Sequence, residues 1–581
     1  MSLSSVFDQA PSGRPGVQKT PELARILCLP RRVLDLDKAA VDGRALLDLS
    51  PLYVLNPGHC NEYPSCPVCI ATPVRLWPAQ SAALLEAERA WGLFGPIAVG
   101  FGKTLITLLL PDALQSQRSV LLVPASVRNQ LLTRDFASYG RHFKLPAGIS
   151  VVSYEDLSSV KGANSLERLE PDLIIADEAH KLARYTAART KRFCRYFKEH
   201  PGTRFCAVSG TVTRRSLRDY AHLCELSLRA GSPLPARWSD LQEWADALDP
   251  GNEPIPVGAL RALADRRHLD GSDEERVAVR DGFRRRLVET SGVVATSESW
   301  EGASLVIAAV RPKTPPVVDT ALALLYATWQ IDGEEIEDPM RLAMVARQLA
   351  SGFYYRWLWP EGVPDVEWLD KRAAWHQAVR QTLKRSKEGL DSPLLVARAA
   401  ARGGLDEAAQ AAWGAWGTVK DRYDPTPPTA VVWLHDFAVE AARAWAHVAV
   451  EPSIVWYSSV AVGEALGKHL PHYGPGEDAG EADPASQPVI LCSIRAQGTG
   501  KNLQRYAANL VLEPPSSGAA WEQLLGRTHR PGQQADEVRF DVNMHVAELD
   551  RGMVGAVSDA IYVEETQGQR QKLLLARRIG W

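Results

Sequence analysis

The residues of this 581-residue chain best suited to chemistry are a glycine-bearing loop and a pair of adjacent carboxylates. Ile97-Ala98-Val99-Gly100-Phe101-Gly102-Lys103-Thr104 follows an apolar stretch and opens a second apolar run over residues 105–110. Gly100 and Gly102 let backbone N–H groups approach phosphate oxygens, and a helix N-terminus behind them favours the anion. Lys103 is then placed for the β- and γ-phosphates of ATP, and Thr104 for Mg²⁺. Ile97 stands where the general phosphate-loop pattern has its first glycine.

The apolar run Leu173-Ile174-Ile175-Ala176 ends directly in Asp177-Glu178-Ala179-His180. A strand that terminates in two carboxylates can put Asp177 on the Mg²⁺ shell and Glu178 beside an attacking water. Farther along stands Gln523-Leu524-Leu525-Gly526-Arg527-Thr528-His529-Arg530-Pro531-Gly532-Gln533. Arg527 and Arg530, three apart on a helix, share a face and can reach across a cleft to a γ-phosphate.

With these three pieces in this order the sequence resembles the superfamily-2 helicases, and within them the Swi/Snf-type double-strand translocases, a DEAH-box branch. The resemblance runs from about residue 76 to residue 533. Leu76-Trp77-Pro78-Ala79-Gln80 looks like the adenine-reading segment, with Gln80 as reader. Residues 123–130 (Val-Pro-Ala-Ser-Val-Arg-Asn-Gln) and 152–157 (Val-Ser-Tyr-Glu-Asp-Leu) look like the first-lobe strand contacts. Ser209-Gly210-Thr211 looks like the coupling motif. Residues 493–504, which include Gly498, look like motif V, and Gln523 opens motif VI. The resemblance implies two RecA-like lobes with ATP and Mg²⁺ between them, and a DNA-dependent ATPase that moves along double-stranded DNA. A strand-separating helicase is the alternative in the same mechanical class. An ATP-switched scaffold without motor activity is the alternative outside it, and the intact arginine pair weighs against that reading. Val212 replaces the proline usual after the coupling motif, Ile97-Ala98 an acidic pair, and Lys501 an apolar residue. None of these changes removes a catalytic group. They point to a divergent member of bacterial or phage type, working in the cytoplasm of the bacterial cell or infected host.

The elements that must position these residues are legible as rhythm. Apolar runs at 120–123, 149–152 and 173–176 alternate with amphipathic stretches, which predicts a parallel sheet wrapped by helices over 71–216. Helical spacing dominates 217–424, which reads as a helical insertion; the resemblance implies that it carries protrusions. Strand-like runs at 453–457, 489–492 and 510–512 predict a second α/β lobe over 425–545, and 546–581 reads as a helical tail. The fold expected is thus α/β, with two RecA-like lobes, a large helical insertion and a small N-terminal module over 1–70.

Composition narrows the rest. Hydrophobic content is 45%, enough for a core in each unit, and formal net charge is −3, so nucleic-acid contact must come from local basic patches. No run approaches the roughly 18 apolar residues of a membrane span. No sequence feature identifies a protein partner. Among the eight cysteines, Cys60, Cys66 and Cys69 cluster, with His59 or Cys28 as a further ligand for zinc. The alternative is a proline-rich loop with reduced thiols.

Four stretches have both a binding and a structural reading. Residues 190–198 and 213–216 carry cations that suit phosphates or a solvated face. At Arg284-Arg285-Arg286 the resemblance implies an arginine that binds nucleic acid or braces the lobes, and the alternative is a solvated face. Phe353-Tyr354-Tyr355-Arg356-Trp357-Leu358-Trp359 reads as helix core rather than as a base-stacking surface.

Overall fold

The computed structural model describes residues 15–33 and 76–581, apart from 144, 186, 211, 214, 251–253, 265–272, 297–301, 333, 337, 361, 386–389 and 424–425. Cys60, Cys66, Cys69 and Thr211 lie outside the described residues.

Two wholly parallel sheets organise the chain. The first has strand order β1-β5-β4-β2-β3, with β1 at Leu93–Pro96, β2 at Ser119–Val123, β3 at Ser150–Ser153, β4 at Leu173–Asp177 and β5 at Arg204–Ser209. Its strands are near-continuous apolar runs because both faces are covered by helices. The side chains alternate between two cores. Phe94, Val120, Leu122, Ile174 and Phe205 point to one, and Leu93, Leu121, Ile175, Cys206 and Val208 to the other.

The second sheet has order β12-β13-β11-β14-β15-β6-β16. Here β6 is Ser304–Val310, β11 Ser453–Tyr457, β12 His472–Tyr473, β13 Val489–Ser493, β14 Ala508–Val511, β15 Glu537–Asn543 and β16 Arg577–Ile579. Ile454, Trp456 and Ile490 face one core, and Val455, Tyr457 and Leu491 the other. Two parallel sheets flanked by helices are the α/β architecture expected of two RecA-like lobes.

The boundary between the lobes differs from the sequence reading. The helices Ala221–Leu228, Trp238–Leu248 and Asp273–Val288 belong to the first lobe, since Leu223, Trp244 and Phe283 share its core. Val293 then bridges Phe94 of β1. The second lobe begins at β6, which pairs along its whole length with β15. So the segment 217–424 is not one insertion. Amphipathic helices have the same period whichever sheet they cover, and β6 is a single apolar run surrounded by helical patterns.

The insertion proper lies between β6 and β11, and half of it sits inside a hairpin. Strand β9 (Phe353–Trp357) pairs antiparallel with β10 (Thr429–Trp433). Between them stand the helices Val366–Arg385, Pro393–Ala401 and Glu407–Gly417. The aromatic run is therefore mainly strand, not helix. Its aromatics are core all the same: Trp357 and Trp359 pack edge-on against Trp368 at ring-centroid distances of 5.6 and 6.1 Å. The smallest hairpin, β7 (Gln330–Ile331) with β8 (Glu334–Glu335), lies between helices of the same region.

The C-terminal tail is not helix throughout. The helix Ala547–Gln567 ends at Gly568, whose φ of 71° is the usual left-handed stop. The chain then returns to form β16, an edge strand beside β6. Two arginines and one exposed isoleucine are too short a run to give an apolar signal there. Among the described residues no helix is long and apolar enough to cross a membrane.

Candidate functional site

The site forms where the C-terminal ends of β1, β4 and β5 meet the helix Gly518–Thr528 of the second lobe. In open parallel sheets this end of the strands is where ligands gather.

The loop after β1 folds as the sequence requires. Gly100 has φ 101° and Gly102 φ 68°, conformations that a side chain disfavours. Gly102 caps the helix Lys103–Ala113, so free N–H groups face the loop. Lys103 is buried, and its Nζ donates to Ala98 O at 3.2 Å. Burial lowers its pKa and the charge of Arg527 adds to this, while Glu178 and Asp177 oppose it. Thr104 is half-buried in the first turn. Gln80 spans the gap between two segments: its Oε1 accepts from Trp77 N–H at 2.8 Å and its Nε2 donates to Gly102 O at 3.3 Å. Thr296 holds the loop from behind, its Oγ1 accepting from Ala98 N–H at 2.8 Å.

Strand β4 delivers the carboxylates. Asp177 Oδ1 accepts from the N–H of Glu178 at 3.0 Å, and the Tyr154 hydroxyl donates to Asp177 O at 2.7 Å. Glu178 has φ 56°, rare for a side-chain-bearing residue and a strain that sharp turns at functional sites hold. Its carboxylate lies 3.2 Å from His180 Nδ1 and 3.5 Å from Ser209 Oγ. His180 and Ser209 also face each other at 3.1 Å. Burial, followed by the neighbouring charge of Glu178, raises the Asp177 pKa. Burial acts to raise Glu178 too, but the His180 hydrogen bond and the charges of Lys103, His180 and Arg527 outweigh it and hold Glu178 low. Gly210 follows Ser209, and a Cβ there would stand 3.2 Å from Lys103 Nζ.

The second lobe contributes Gln523, Arg527 and Arg530. Gln523 Nε2 donates to Glu178 Oε2 at 3.4 Å. Arg527 is buried within its own lobe, donating to Gln523 O, Gln523 Oε1 and Lys501 O at 2.8, 3.0 and 2.9 Å. Burial and the nearby Arg530 pull its pKa down to about 10. Arg530 differs: its Nε is buried with no hydrogen-bond partner among the described residues. The helix approaches the loop so closely that a Cβ on Gly526 would stand 2.7 Å from Val99 Cγ1. A Cβ on Gly100 would reach Pro531 Cδ at 3.4 Å. Gly498 lies farther off, closing the turn Ile494–Gln497 with its N–H on Ile494 O at 2.9 Å.

Two clefts border this centre. One of about 420 Å³ opens beside the loop, between Val99 and Phe101 on one side and Leu305, His529, Lys572 and Arg577 on the other. Lys572 comes from the C-terminal tail, and its Nζ meets His529 Nδ1 at 3.3 Å. A second, polar cleft of about 220 Å³ lies where segment 123–130 approaches residues 493–504, lined by Gln130, Arg134, Asp478, Lys501, Asn502 and Arg505, with Lys501 Nζ paired to Asp478 at 2.9 Å.

The structure thus brings Lys103, Thr104, Asp177, Glu178, Ser209, Gly210, Gln523, Arg527 and Arg530 to one centre, with Gln80 holding the loop's edge. Tyr154, His180 and Thr296 take positioning roles that their sequence context does not announce. Tyr154 and His180 stand inside the motif segments; Thr296 is an isolated threonine with no sequence signal. Of the basic stretches, residues 190–198 are largely structural: Arg192 is buried against Asp391 with both guanidinium contacts at 2.8 Å. Arg286 donates to Leu29 O and Leu27 O at 2.8 and 2.6 Å, tying down the N-terminal helix Pro21–Cys28.

No known protein family's sequence profile matches the chain, and no curated protein matches it by sequence.

Proposed function

We propose that the protein is an ATP-hydrolysing motor that translocates on double-stranded DNA. The observation that carries the reading is the reach of Gln523 from one lobe to Glu178 of the other, because hydrolysis coupled to lobe movement needs catalytic parts on both sides of a cleft. The donor set suits a nucleoside triphosphate. A glycine loop at positive φ caps a helix, a buried lysine stands behind it, and a buried arginine nitrogen has no partner among the described residues. Lys103 binds the phosphates. Glu178 orients a water and accepts its proton, with His180 and Ser209 fixing the carboxylate. Arg530 meets the charge that develops on the phosphoryl oxygens, and Arg527 holds Gln523 against Glu178. Thr104 and Asp177 would hold Mg²⁺, which supplies charge neutralisation across the phosphate oxygens.

The nucleic-acid side of the proposal rests on the order of the motifs and on the polar cleft between segment 123–130 and motif V. Turnover measured without nucleic acid, then with single-stranded DNA, duplex DNA and RNA, tests it. The highest rate is expected with duplex DNA. A rate indifferent to every nucleic acid rejects the motor reading.

A further inference from the structure

The helix Val366–Arg385 carries its charges asymmetrically. Arg372, His376, Arg380 and Lys384 recur every four residues, a row that winds about 120° around the helix from its first member to its last. Glu367 and Asp370 lie on the other flank, where Glu367 pairs with Lys371 at 2.6 Å. Trp368, Trp375 and Val379 fill the buried side. His376, Arg380 and Lys384 are exposed, and none of the four cations has an ion-pair partner among the described residues. Arg372 lies over the rings of Trp357 and Trp368 at 5.4 and 5.1 Å, which fixes the start of the row. Partial desolvation, then the charges of Arg372 and Arg380, lower the His376 pKa, so Arg372, Arg380 and Lys384 carry the row's lasting charge. An acidic counterpart would be expected if this flank served only to solubilise the helix, because charges of both signs do that without self-repulsion.

The row ends against the first lobe. Lys191 Nζ donates to Leu383 O at 2.8 Å, and the buried Arg192–Asp391 pair fastens the loop beyond the helix. Arg192 also donates to Leu157 O and Ser159 O at 2.7 and 2.6 Å, so this anchorage adjoins segment 152–157. The row thus runs from the β9–β10 hairpin of the second lobe to one of the proposed strand contacts of the first.

We propose that this flank is a further nucleic-acid site, gripping the phosphate backbone of duplex DNA outside the cleft between the lobes. The inference rests on the duplex-motor reading and adds a contact that none of the motifs supplies. Steps of four residues place the cations about 6 Å apart over about 18 Å. A duplex presents on the order of ten phosphate charges along that length. Such contacts set affinity and position without reading sequence.

The test is a full-length Arg380→Glu/Lys384→Glu variant. Its binding to blunt duplex is followed across a salt series, with DNA-free ATPase and thermal melting measured alongside. The expected result is roughly tenfold weaker binding and a slope of log affinity against log salt that is lower by about two. DNA-free turnover and melting should match the parent. Arg385→Glu, on the opposite flank, should bind nearly as the parent does. Unchanged affinity and slope in the double variant, or an equal loss in Arg385→Glu, overturns the proposal while leaving the motor reading intact. A parent protein that binds no duplex overturns the motor reading and this one with it.

Discussion

Gln523 Nε2 in the second lobe lies 3.4 Å from Glu178 Oε2 in the first, while the carbonyl end of the same amide accepts from Arg527 at 3.0 Å. One side chain thus connects the second lobe's arginine to the first lobe's proposed general base. Gln523→Ala removes both hydrogen bonds and leaves Arg527 and Glu178 under-partnered in a buried setting. Turnover is expected to fall about tenfold or more, with ATP affinity largely kept, because an unmade buried hydrogen bond costs about 1–3 kcal/mol. Steady-state kinetics with a separate nucleotide-binding measurement check this. A variant that loses affinity but not turnover would assign Gln523 to ground-state binding.

Lys103→Ala removes a buried cation whose side chain stands behind the glycine loop and within the field of Asp177, Glu178 and Arg527. ATP turnover should be nearly abolished. A purified, folded variant with close to parental turnover removes the phosphate-loop assignment.

Glu178→Gln keeps the shape of the side chain but cannot accept a proton from water. The substitution also ends the attraction to Lys103 and Arg527 that holds the carboxyl low. ATP should still bind, and turnover should fall by about 10²-fold or more, the usual contribution of a general base. Rapid-quench single-turnover measurement separates the two steps. Parental hydrolysis in this variant would mean that another group activates the water.

The two arginines of the second lobe should not behave alike. Arg527 is committed to Gln523 and Lys501, whereas Arg530 Nε is buried and has no partner among the described residues. Arg530→Ala should lower kcat on the order of 10³-fold, since a cation at the developing charge acts in the transition state. Arg527→Ala should resemble Gln523→Ala, because it acts through that residue. A double variant of Gln523 and Arg527 should therefore fall less than the product of the single effects. Full additivity would show that Arg527 has a direct role of its own.

Much of this centre is legible in the sequence because its parts are local. A glycine loop, two carboxylates ending a strand and two arginines three apart each need only a few neighbouring residues to state their chemistry. What escaped is what depends on contacts distant in sequence. Thr296 reaches Ala98 across the whole first lobe, and Lys572 reaches His529 from the tail. β6 escaped because one apolar run among amphipathic helices carries no period of its own. The run 353–357 is strand although its sequence suggests helix, because aromatic content speaks for burial but not for period. β16 is too short and too polar to register, and it exists because β6 offers an open edge.

Duplex DNA should stimulate the ATPase more than single-stranded DNA, and the motor should move without separating strands. Three observations support the expectation. The Gly526-Arg527-Thr528-His529-Arg530-Pro531-Gly532-Gln533 run resembles the duplex-translocating branch rather than the general unwinding helicases. The inserted segment between β9 and β10 docks on the first lobe through the buried Arg192–Asp391 pair, so the module contacts both lobes. The cationic flank of Val366–Arg385 spans about 18 Å, a length that suits the stiff, closely spaced charges of a duplex better than a flexible single strand. Triplex displacement from a blunt duplex reads translocation, and a forked duplex reads strand separation. The expected result is displacement of the third strand with little opening of the fork, and an affinity that falls steeply with salt. Strong fork opening without triplex displacement would favour a strand-separating helicase, whose contacts would then have to lie on one strand within the polar cleft lined by Arg134, Lys501 and Arg505.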